Sequence, residues 1–325
     1  MDLKESSLYL LPNRYFQSSL YAKYMQRCGW EVKEFWKEGQ SFFLYFKAIP
    51  FFGLFAKIPK VPPEIWLLEE IFAWIQNNKP CLVKIEPLYG RFVSNLSFPS
   101  IIHPLRTLNP WSLRCKEIGF APIGASMYET KTRLLDLSGS EDEIFKRIKR
   151  RSLRYQIKRA RREGLKVEIS EDIETFANTF EKASKRKGFF VPFRKNMRYF
   201  WEIFSQKNQA KIIFIRSNSS ALPLAGVFLV IHGKTAYYHH AASTLEGEKK
   251  FAPKLACWEA MLEAHRLGCL LFDFEGIWDP QRKDQKRWKG LTYFKEGFGG
   301  WAFQYEKILS FYGGGFGKLL KVVQM

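Results

Sequence analysis

Apolar positions along the chain follow two spacings, and the switch between them marks out the elements. Three- and four-residue spacing predicts helices; runs rich in aromatic and β-branched residues predict strands. In Glu64–Asn77, Trp66, Leu67, Ile71, Trp74 and Ile75 fall on one side, so this segment is a predicted helix opened by Pro62-Pro63. Gln17–Cys28 is predicted as a short helix that Gly29 stops. Ser41–Ile49, with its Phe and Tyr residues, is a predicted strand, and Cys81–Glu86 a buried one. Residues 88–130 carry Pro, Gly and Ser punctuation and read as irregular.

The second half continues with a predicted strand at Thr132–Leu137. Ser140, with Glu143 three residues on, has the spacing of a capping box, and the helix it opens runs into a basic block. Glu171–Lys187 is a further helix, closed by Gly188, and Tyr199–Ser205 lies in another. Strands are predicted at Lys211–Arg216, Leu224–His232 and Thr235–Ala242, the last two joined by a tight turn at His232-Gly233-Lys234. Pro253 starts a helix that Gly268 stops; a strand follows at Cys269–Phe274 and a last one at Phe303–Ile308. Each half thus runs helix, strands, Pro-started helix, then a buried strand ending in acid. This repeat predicts an α/β protein of two similar domains, residues 1–140 with a returning segment at 303–325, and residues 141–302.

Composition narrows the class. Of 325 residues, 46% are hydrophobic and 17% aromatic, enough for a large core, so global disorder is excluded. The net charge of +20 points to an acidic partner (nucleic acid, an anionic membrane surface or a phosphorylated substrate), or else to a solubility device. Cys28, Cys81, Cys115, Cys257 and Cys269 are widely spaced, which argues for reduced thiols in a cytosolic protein and against a disulfide framework or zinc knuckle. Met1–Arg14 lacks the apolar core of a signal peptide. The most apolar stretch, Phe42–Phe55, is interrupted by Lys47, Pro50 and Gly53 and is too short for a membrane span. Its aromatics belong to a core strand or touch a membrane interface; core strand is the better reading.

Candidate chemistry is sparse by motif. There is no Gly-x-Gly-x-x-Gly after a strand, no Walker Gly-Lys-Ser/Thr, no Gly-x-Ser-x-Gly elbow and no His-Glu-x-x-His array, so no metal site and no cofactor are implied. His239 and His240 sit late in a predicted strand, where adjacent side chains face opposite sides and would not share a site. The block from Lys146 to Lys166 is densely cationic, with Arg147, Lys149, Arg150, Arg151, Arg154, Lys158, Arg159, Arg161 and Arg162 between its ends and only Glu163 opposing them. Leu153 and Ile157 give it a narrow apolar stripe. Such a segment reads either as a phosphate-binding surface or as a solvated face, the former favoured.

Five segments in order carry a resemblance: Thr132–Ser138, Arg154–Val167, Tyr237–Ser243, Phe272–Ile277 and Gly290–Gly300, joined by Gln17-Ser18, Gly29-Trp30 and Lys84–Pro87 in the first half. Together they resemble the Fem family of peptidoglycan-branching aminoacyltransferases, over most of residues 15–305. The resemblance implies two tandem N-acetyltransferase-like (GNAT) domains, each a mixed sheet flanked by helices, without the long helical arm of some members. It implies transfer of an amino acid from aminoacyl-tRNA to an amine of a peptidoglycan precursor stem peptide, carried by UDP-MurNAc or by lipid II. The setting would be the cytoplasm, with possible peripheral contact at the inner face of the membrane, and no DNA partner.

The same resemblance assigns residues. Lys295, in a Phe-Lys pair expected between a loop and a strand, would stabilise the oxyanion of the tetrahedral intermediate. Phe294 would stack on the tRNA's terminal bases or line the aminoacyl pocket, or simply pack in the core. Tyr238 would hydrogen-bond acceptor or oxyanion, or serve as a sheet aromatic. Arg194 or Arg198, with Tyr199, would hold precursor phosphates. Asp273 and Glu275 would orient the acceptor amine or take its proton, or pair with cations. Arg150, Arg151, Arg154, Lys158 and Arg161 would meet tRNA phosphates. On the first helix, the positions where the family has a Trp and a phosphate-binding Lys are here Tyr21 and Met25, with Lys23 on the other side of the helix. Two other readings stand beside this one. An acyl-CoA-type N-acyltransferase is weakened because Ser243–Lys250 lacks the Gly-rich pyrophosphate loop; a non-catalytic RNA- or surface-binding protein on the same fold is the other.

Overall fold

The computed structural model describes residues 8–12, 14–93, 101–105, 108–188, 194–218, 220, 222–315 and 317. Residues 94–100, 106 and 107 of the stretch expected to be irregular, and 316 and 318–325 of the returning segment, lie outside them. Two compact units form, Met1–Thr130 with Phe303–Met325, and Lys131–Ala302.

The first unit begins with β1 (Leu8–Leu10) and α1 (Ser19–Arg27). Ser18 caps α1 by accepting from the Tyr21 N–H, and the buried Gln17 amide accepts from Phe43 N at 2.7 Å and donates to Pro59 O at 2.6 Å. Three strands follow, β2 (Glu31–Lys37), β3 (Gln40–Ile49) and β4 (Gly53–Val61). Helix α2 (Ile65–Asn78) then crosses to β5 (Leu82–Pro87). Leu67, Leu68 and Ile71 of α2 bury against Phe42, Leu44, Ile58 and Val83 of the sheet. Phe42–Tyr45 are core residues, so the strand reading of that apolar stretch holds for its first part; Lys47–Gly53 are exposed, and Leu54 and Phe55 are half-buried at the start of β4. The stretch expected to be irregular contains β6 (Tyr89–Phe92), β7 (His103–Leu105) and a regular helix, α3 (Asn109–Ile118). Pro110 stands at the start of α3, where its missing N–H costs nothing, so this proline opens a helix instead of interrupting one.

The second unit holds β8 (Lys131–Asp136), α4 (Glu141–Lys146), α5 (Arg151–Arg162), β9 (Lys166–Ser170), α6 (Ile173–Arg186) and α7 (Arg194–Ser205). It continues with β10 (Ala210–Arg216), β11 (Ala225–His232), β12 (Thr235–Ser243), α8 (Leu245–Lys249), α9 (Ala252–Arg266), β13 (Leu271–Gly276) and α10 (Lys289–Gly297). Ser140 and Glu143 form the full capping box of α4. The unit's strands run in the order β8-β13-β12-β11-β10-β9. All neighbours are antiparallel except β12 and β13, which are parallel and therefore need the α9 crossover. Helix α9 is buried nearly all round, and the Leu153, Ile157 and Ala160 stripe of α5 lies in the same core. Burying a Leu or Ile side chain stabilises by roughly 1.5–3 kcal/mol, which anchors α5 despite its charge.

The chain returns to the first unit through β14 (Trp301–Tyr305) and ends its described course in β15 (Leu309–Tyr312). There Phe303–Tyr305 pairs antiparallel with β6, and β15 with β5, while β4 and β5 are the unit's parallel pair. Each unit thus has a mixed sheet, flanking helices, and one parallel pair spanned by a helix, a GNAT-like arrangement.

Gly299 and Gly300 follow α10 with φ of 98° and 69°, and a Cβ on Gly300 would stand 2.1 Å from Leu134 O. Both the left-handed backbone and the close approach demand glycine. We expect Gly300→Ala to lower stability by more than about 2 kcal/mol in denaturant melts, against little change for Ala at the open, helical Gly290.

Candidate active site

The parallel contact between β12 and β13 is short. Thr235, Ala236 and Tyr237 pair with Leu271, Phe272 and Asp273, and beyond them the strands part. Strand β12 continues to Ser243 against β11 alone, and β13 continues to Gly276 against β8 alone. The result is a wedge open at the carboxyl end of the pair, the place where an α/β sheet offers backbone groups to a ligand.

Both strands are irregular where they part. On β13 the register with β8 shifts between Asp273 and Gly276, and Glu275 takes a left-handed φ of 56°. The buried Asp273 carboxylate accepts from the Glu275 N–H at 2.7 Å and from the Thr132 hydroxyl. The Phe274 and Gly276 carbonyls both accept from Lys295 Nζ, each at 2.7 Å. Lys295 is 4% exposed, so a buried ammonium meets carbonyl groups that the distorted ladder leaves pointing off-axis. Its position corrects the sequence reading: Lys295 lies in the last turn of α10, not between a loop and a strand. The Lys289–Gly297 helix is not among the expected elements; Gly290 near its start weakens the local helical pattern.

On β12 the register with β11 slips by one: Phe228 faces His240, Leu229 faces Tyr238, and His239 is the extra residue. That bulge overturns the expectation that the two histidines face opposite sides. Their rings lie 4.2 Å apart. His239 stacks on Phe200 of α7 at 5.0 Å, and its Nδ1 is 3.4 Å from Glu275 Oε2 across the wedge. His240 packs on Phe180 of α6 at 4.9 Å. Desolvation, with His239 adding to it, pushes His240 down to about 3, so its imidazole is neutral. Nothing in the sequence marks this bulge, which has no glycine.

The expected site residues divide between the two faces of the sheet. Tyr238 lies in the core on the α9 side, its ring 5.5 Å from Phe274 and 6.1 Å from Phe272; burial raises its phenol well above the ordinary value. Phe294 packs against the same core, edge-on to Phe298 at 5.4 Å. Since Phe272 and Phe274 point to that core, strand alternation sends Asp273 to the other face, where His239 reaches Glu275. The structure brings together Lys295 with the Phe274–Gly276 backbone, and Glu275 with His239; it does not bring Tyr238 and Asp273 to one face.

Arg194 and Arg198, one helical turn apart on α7, both reach Glu174 of α6, at 2.7 Å and 2.6 Å. Hydrogen bonds from Arg198 and then Arg194 draw the Glu174 carboxyl down to about 2. Tyr199 lies beside Lys195, whose ammonium is 5.5 Å from its ring centroid. In the basic segment, Arg150 lies 3.7 Å over the Tyr293 ring and donates to Tyr293 O, Arg154 donates to Ile148 O, and Arg161 meets Glu259 of α9 at 2.6 Å. Opposition to the block is therefore not limited to Glu163, because the fold supplies Glu259 from distant sequence. Arg151 and Lys158 are exposed. In the first unit Tyr21 and Met25 are buried and Lys23 is exposed. Other cations are buried in that unit, among them Lys57, with Nζ 4.4 Å over the Trp30 ring and pushed down to about 8 by desolvation.

Among the described residues, no group of three or more His, Cys, Asp or Glu side chains is arranged to hold a metal ion, and no helix is long and apolar enough to cross a membrane.

The depressed His240 has a sign that can be checked. Between the unfolded value of 6.5 and the folded value near 3, the unfolded chain binds a proton that the folded chain refuses, so stability falls as pH drops through that window. We expect His240→Phe to flatten this slope. Thermal melts should show the variant gaining on the wild type between about pH 7 and about pH 4.

Comparison with known proteins places this geometry. Residues 204–307, which hold β10 to β13 and α10, match the model of the FemAB family. Among solved structures, the crystal structure of FemX superposes with a TM-score of 0.78 at 16% identity, covering 97% of this chain and 96% of that one. The C-terminal DUF2156 domain of a putative lysylphosphatidylglycerol synthetase from Agrobacterium fabrum gives a TM-score of 0.55 at 12% identity, covering 92% and 89%. The L-PGS structure from Bacillus licheniformis gives 0.50 at 13% identity, covering 90% and 87%. No curated protein matches the chain. The FemAB match covers about a third of the chain, across the wedge, and FemX shares the fold over nearly the whole of it.

Proposed function

We propose that the chain is a Fem-type aminoacyltransferase that moves an amino acid from aminoacyl-tRNA to an amine of a peptidoglycan precursor stem peptide. The observation that carries this reading is the FemAB match at 204–307, which covers the parting of β12 and β13, His239, Glu275 and Lys295. FemX, the solved structure that covers 97% of the chain, supports it at the level of fold.

The chemistry suits a site without a nucleophilic triad. An aminoacyl ester is already activated. The lone pair of a neutral amine forms the new C–N bond at the ester carbonyl, the carbonyl oxygen becomes an oxyanion, and the C–O bond to the ribose then breaks. The proton given up by the amine ends on the departing ribose hydroxyl. Such a reaction needs positioning, a positive charge near the oxyanion and a proton acceptor. Lys295 is the cation, held at the end of β13 by two backbone carbonyls. Glu275 with His239 is the proton acceptor, at the mouth of the wedge. Asp273 and Thr132 hold the turn that presents Glu275, and Tyr238 and Phe294 form the apolar wall on the α9 side.

The two substrates are both phosphate-rich, which matches the charge of +20. Arg151 and Lys158, exposed on α5 beside the partly occupied Arg150, Arg154 and Arg161, meet the tRNA backbone. Arg194 and Arg198 meet precursor phosphates by exchanging Glu174 for a phosphate, with Tyr199 beside them. The precursor is UDP-MurNAc-peptide or lipid II, and the reaction takes place in the cytoplasm, at the inner face of the membrane if the acceptor is lipid-linked. No cofactor is required, since the ester carries the driving force.

The purified chain should transfer labelled amino acid from at least one member of a charged-tRNA panel to UDP-MurNAc-pentapeptide or lipid II; no transfer across the whole panel would overturn the reading. Where transfer is seen, Lys295→Ala should lower kcat by about a hundredfold or more with little change in KM for tRNA. It should also lower the Tm, because the Phe274 and Gly276 carbonyls lose their donor, so rates are compared below both melting transitions.

A further inference from the structure

The hairpin joining β3 and β4 ends in Ile49-Pro50-Phe51-Phe52. The turn is closed by the Phe52 N–H donating to Ile49 O at 3.1 Å. Its second residue is proline, and its third, Phe51, has a φ of 66°. A turn with proline second and a left-handed third residue favours glycine, or asparagine, at that third position, because a Cβ there crowds the backbone. The chain instead carries an aromatic residue. Within the fold the phenyl ring gains nothing in return: Phe51 is 101% exposed, with Phe52 at 47% and Ile49 at 38% beside it. An apolar tip whose leading residue, Phe51, bears a left-handed backbone and lies wholly in water implies an apolar medium outside the chain.

The surroundings give the medium its charge. Lys47 lies two residues before Ile49 and is exposed. Lys79 at the end of α2 is exposed and is brought to the same end of the sheet, since Cys81 N donates to Leu54 O at 2.9 Å. No acidic residue occurs between Glu38 and Glu64; Glu31, paired with Phe46 on the adjoining strand, is the nearest acid across the hairpin ladder. Aromatic rings at the tip with lysines set back from it match a bilayer interface, where rings enter the headgroup layer and ammonium groups meet anionic lipid.

We propose that the Ile49–Phe52 turn inserts into an anionic lipid surface, with Phe51 as the leading side chain and Lys47 and Lys79 as the phosphate contacts. This docking is independent of the catalytic reading, since it uses no residue of the wedge.

The test uses the full chain with vesicles of phosphatidylcholine alone and of phosphatidylcholine with phosphatidylglycerol, read by co-sedimentation. The wild type should bind the anionic vesicles and release with salt. Phe51→Gly should weaken that binding by about tenfold, the order expected for withdrawing one aromatic ring from an apolar phase. It should at the same time keep or raise the Tm, because glycine relieves the left-handed position. Phe51→Trp should bind as the wild type does and show an emission blue shift with quenching by brominated lipid. Wild-type protein that ignores anionic vesicles overturns the proposal and leaves the turn to a protein partner. Equal binding by Phe51→Gly overturns it in favour of diffuse electrostatic attraction, and a lowered Tm in that variant overturns the premise that the ring is idle in the fold.

Discussion

The second unit depends on a parallel strand pair that stops after three residue pairs and on the buried ammonium that makes its end tolerable. Strands that part leave carbonyl groups without ladder partners, and buried carbonyls are costly to leave so. Lys295 answers two of them, at Phe274 and Gly276, while Asp273 and Thr132 take the remaining polar groups of the turn. The arrangement is reciprocal. The carbonyls stabilise a cation that burial alone would disfavour, and the cation fixes a turn whose left-handed Glu275 would otherwise relax. The same contacts fix the turn at the end of β13, with Lys295 buried against its carbonyls and Glu275 reaching His239. The opposite wall is shaped by an independent device, the one-residue bulge that lifts His239 out of register and aligns it with His240.

The charge of the chain is distributed rather than pooled. Helix α5 survives its density of cations because Leu153, Ile157 and Ala160 dock it to the core and because Glu163 and Glu259 each take one arginine. The Arg159–Glu163 pair is exposed and contributes little, so the docking rests on the apolar stripe and on the half-buried Arg161–Glu259 pair. The same applies to Arg194 and Arg198, whose shared carboxylate holds them extended on one face of α7 without committing them strongly. Surface cations held this way remain available to a better anion, such as phosphate, at modest cost.

Sequence legibility tracked how local each cause is. The capping box of Ser140 and Glu143, the stop at Gly188 and the tight turn before Thr235 are each set within a few residues, and each appears where the pattern put it. Helix α2 shows its apolar side through spacing alone. Helix α3 was hidden because Pro110 reads equally as a breaker and as a helix-opening residue, and only packing decides between them. A helix crossover between parallel strands leaves the same order of elements twice, the pattern behind the expectation of two domains; the first compact unit ends at Thr130, where residue 140 was expected.

The sequence by itself determined the period of most elements, the repeat, the surplus of positive charge and, through an ordered series of short motifs, the family it resembles. These are local or additive properties, readable without knowing what touches what. The tertiary structure decided which candidate residues meet. It turned Lys295 from a lysine expected between a loop and a strand into a buried helical donor, set Tyr238 and Asp273 on opposite faces, joined His239 to Glu275, and gave Arg161 a carboxylate from 98 residues away. Each of those outcomes turns on a register shift or a long-range contact. A one-residue slip in a strand reverses which face a side chain takes, and no local pattern in this chain encodes where the slip occurs.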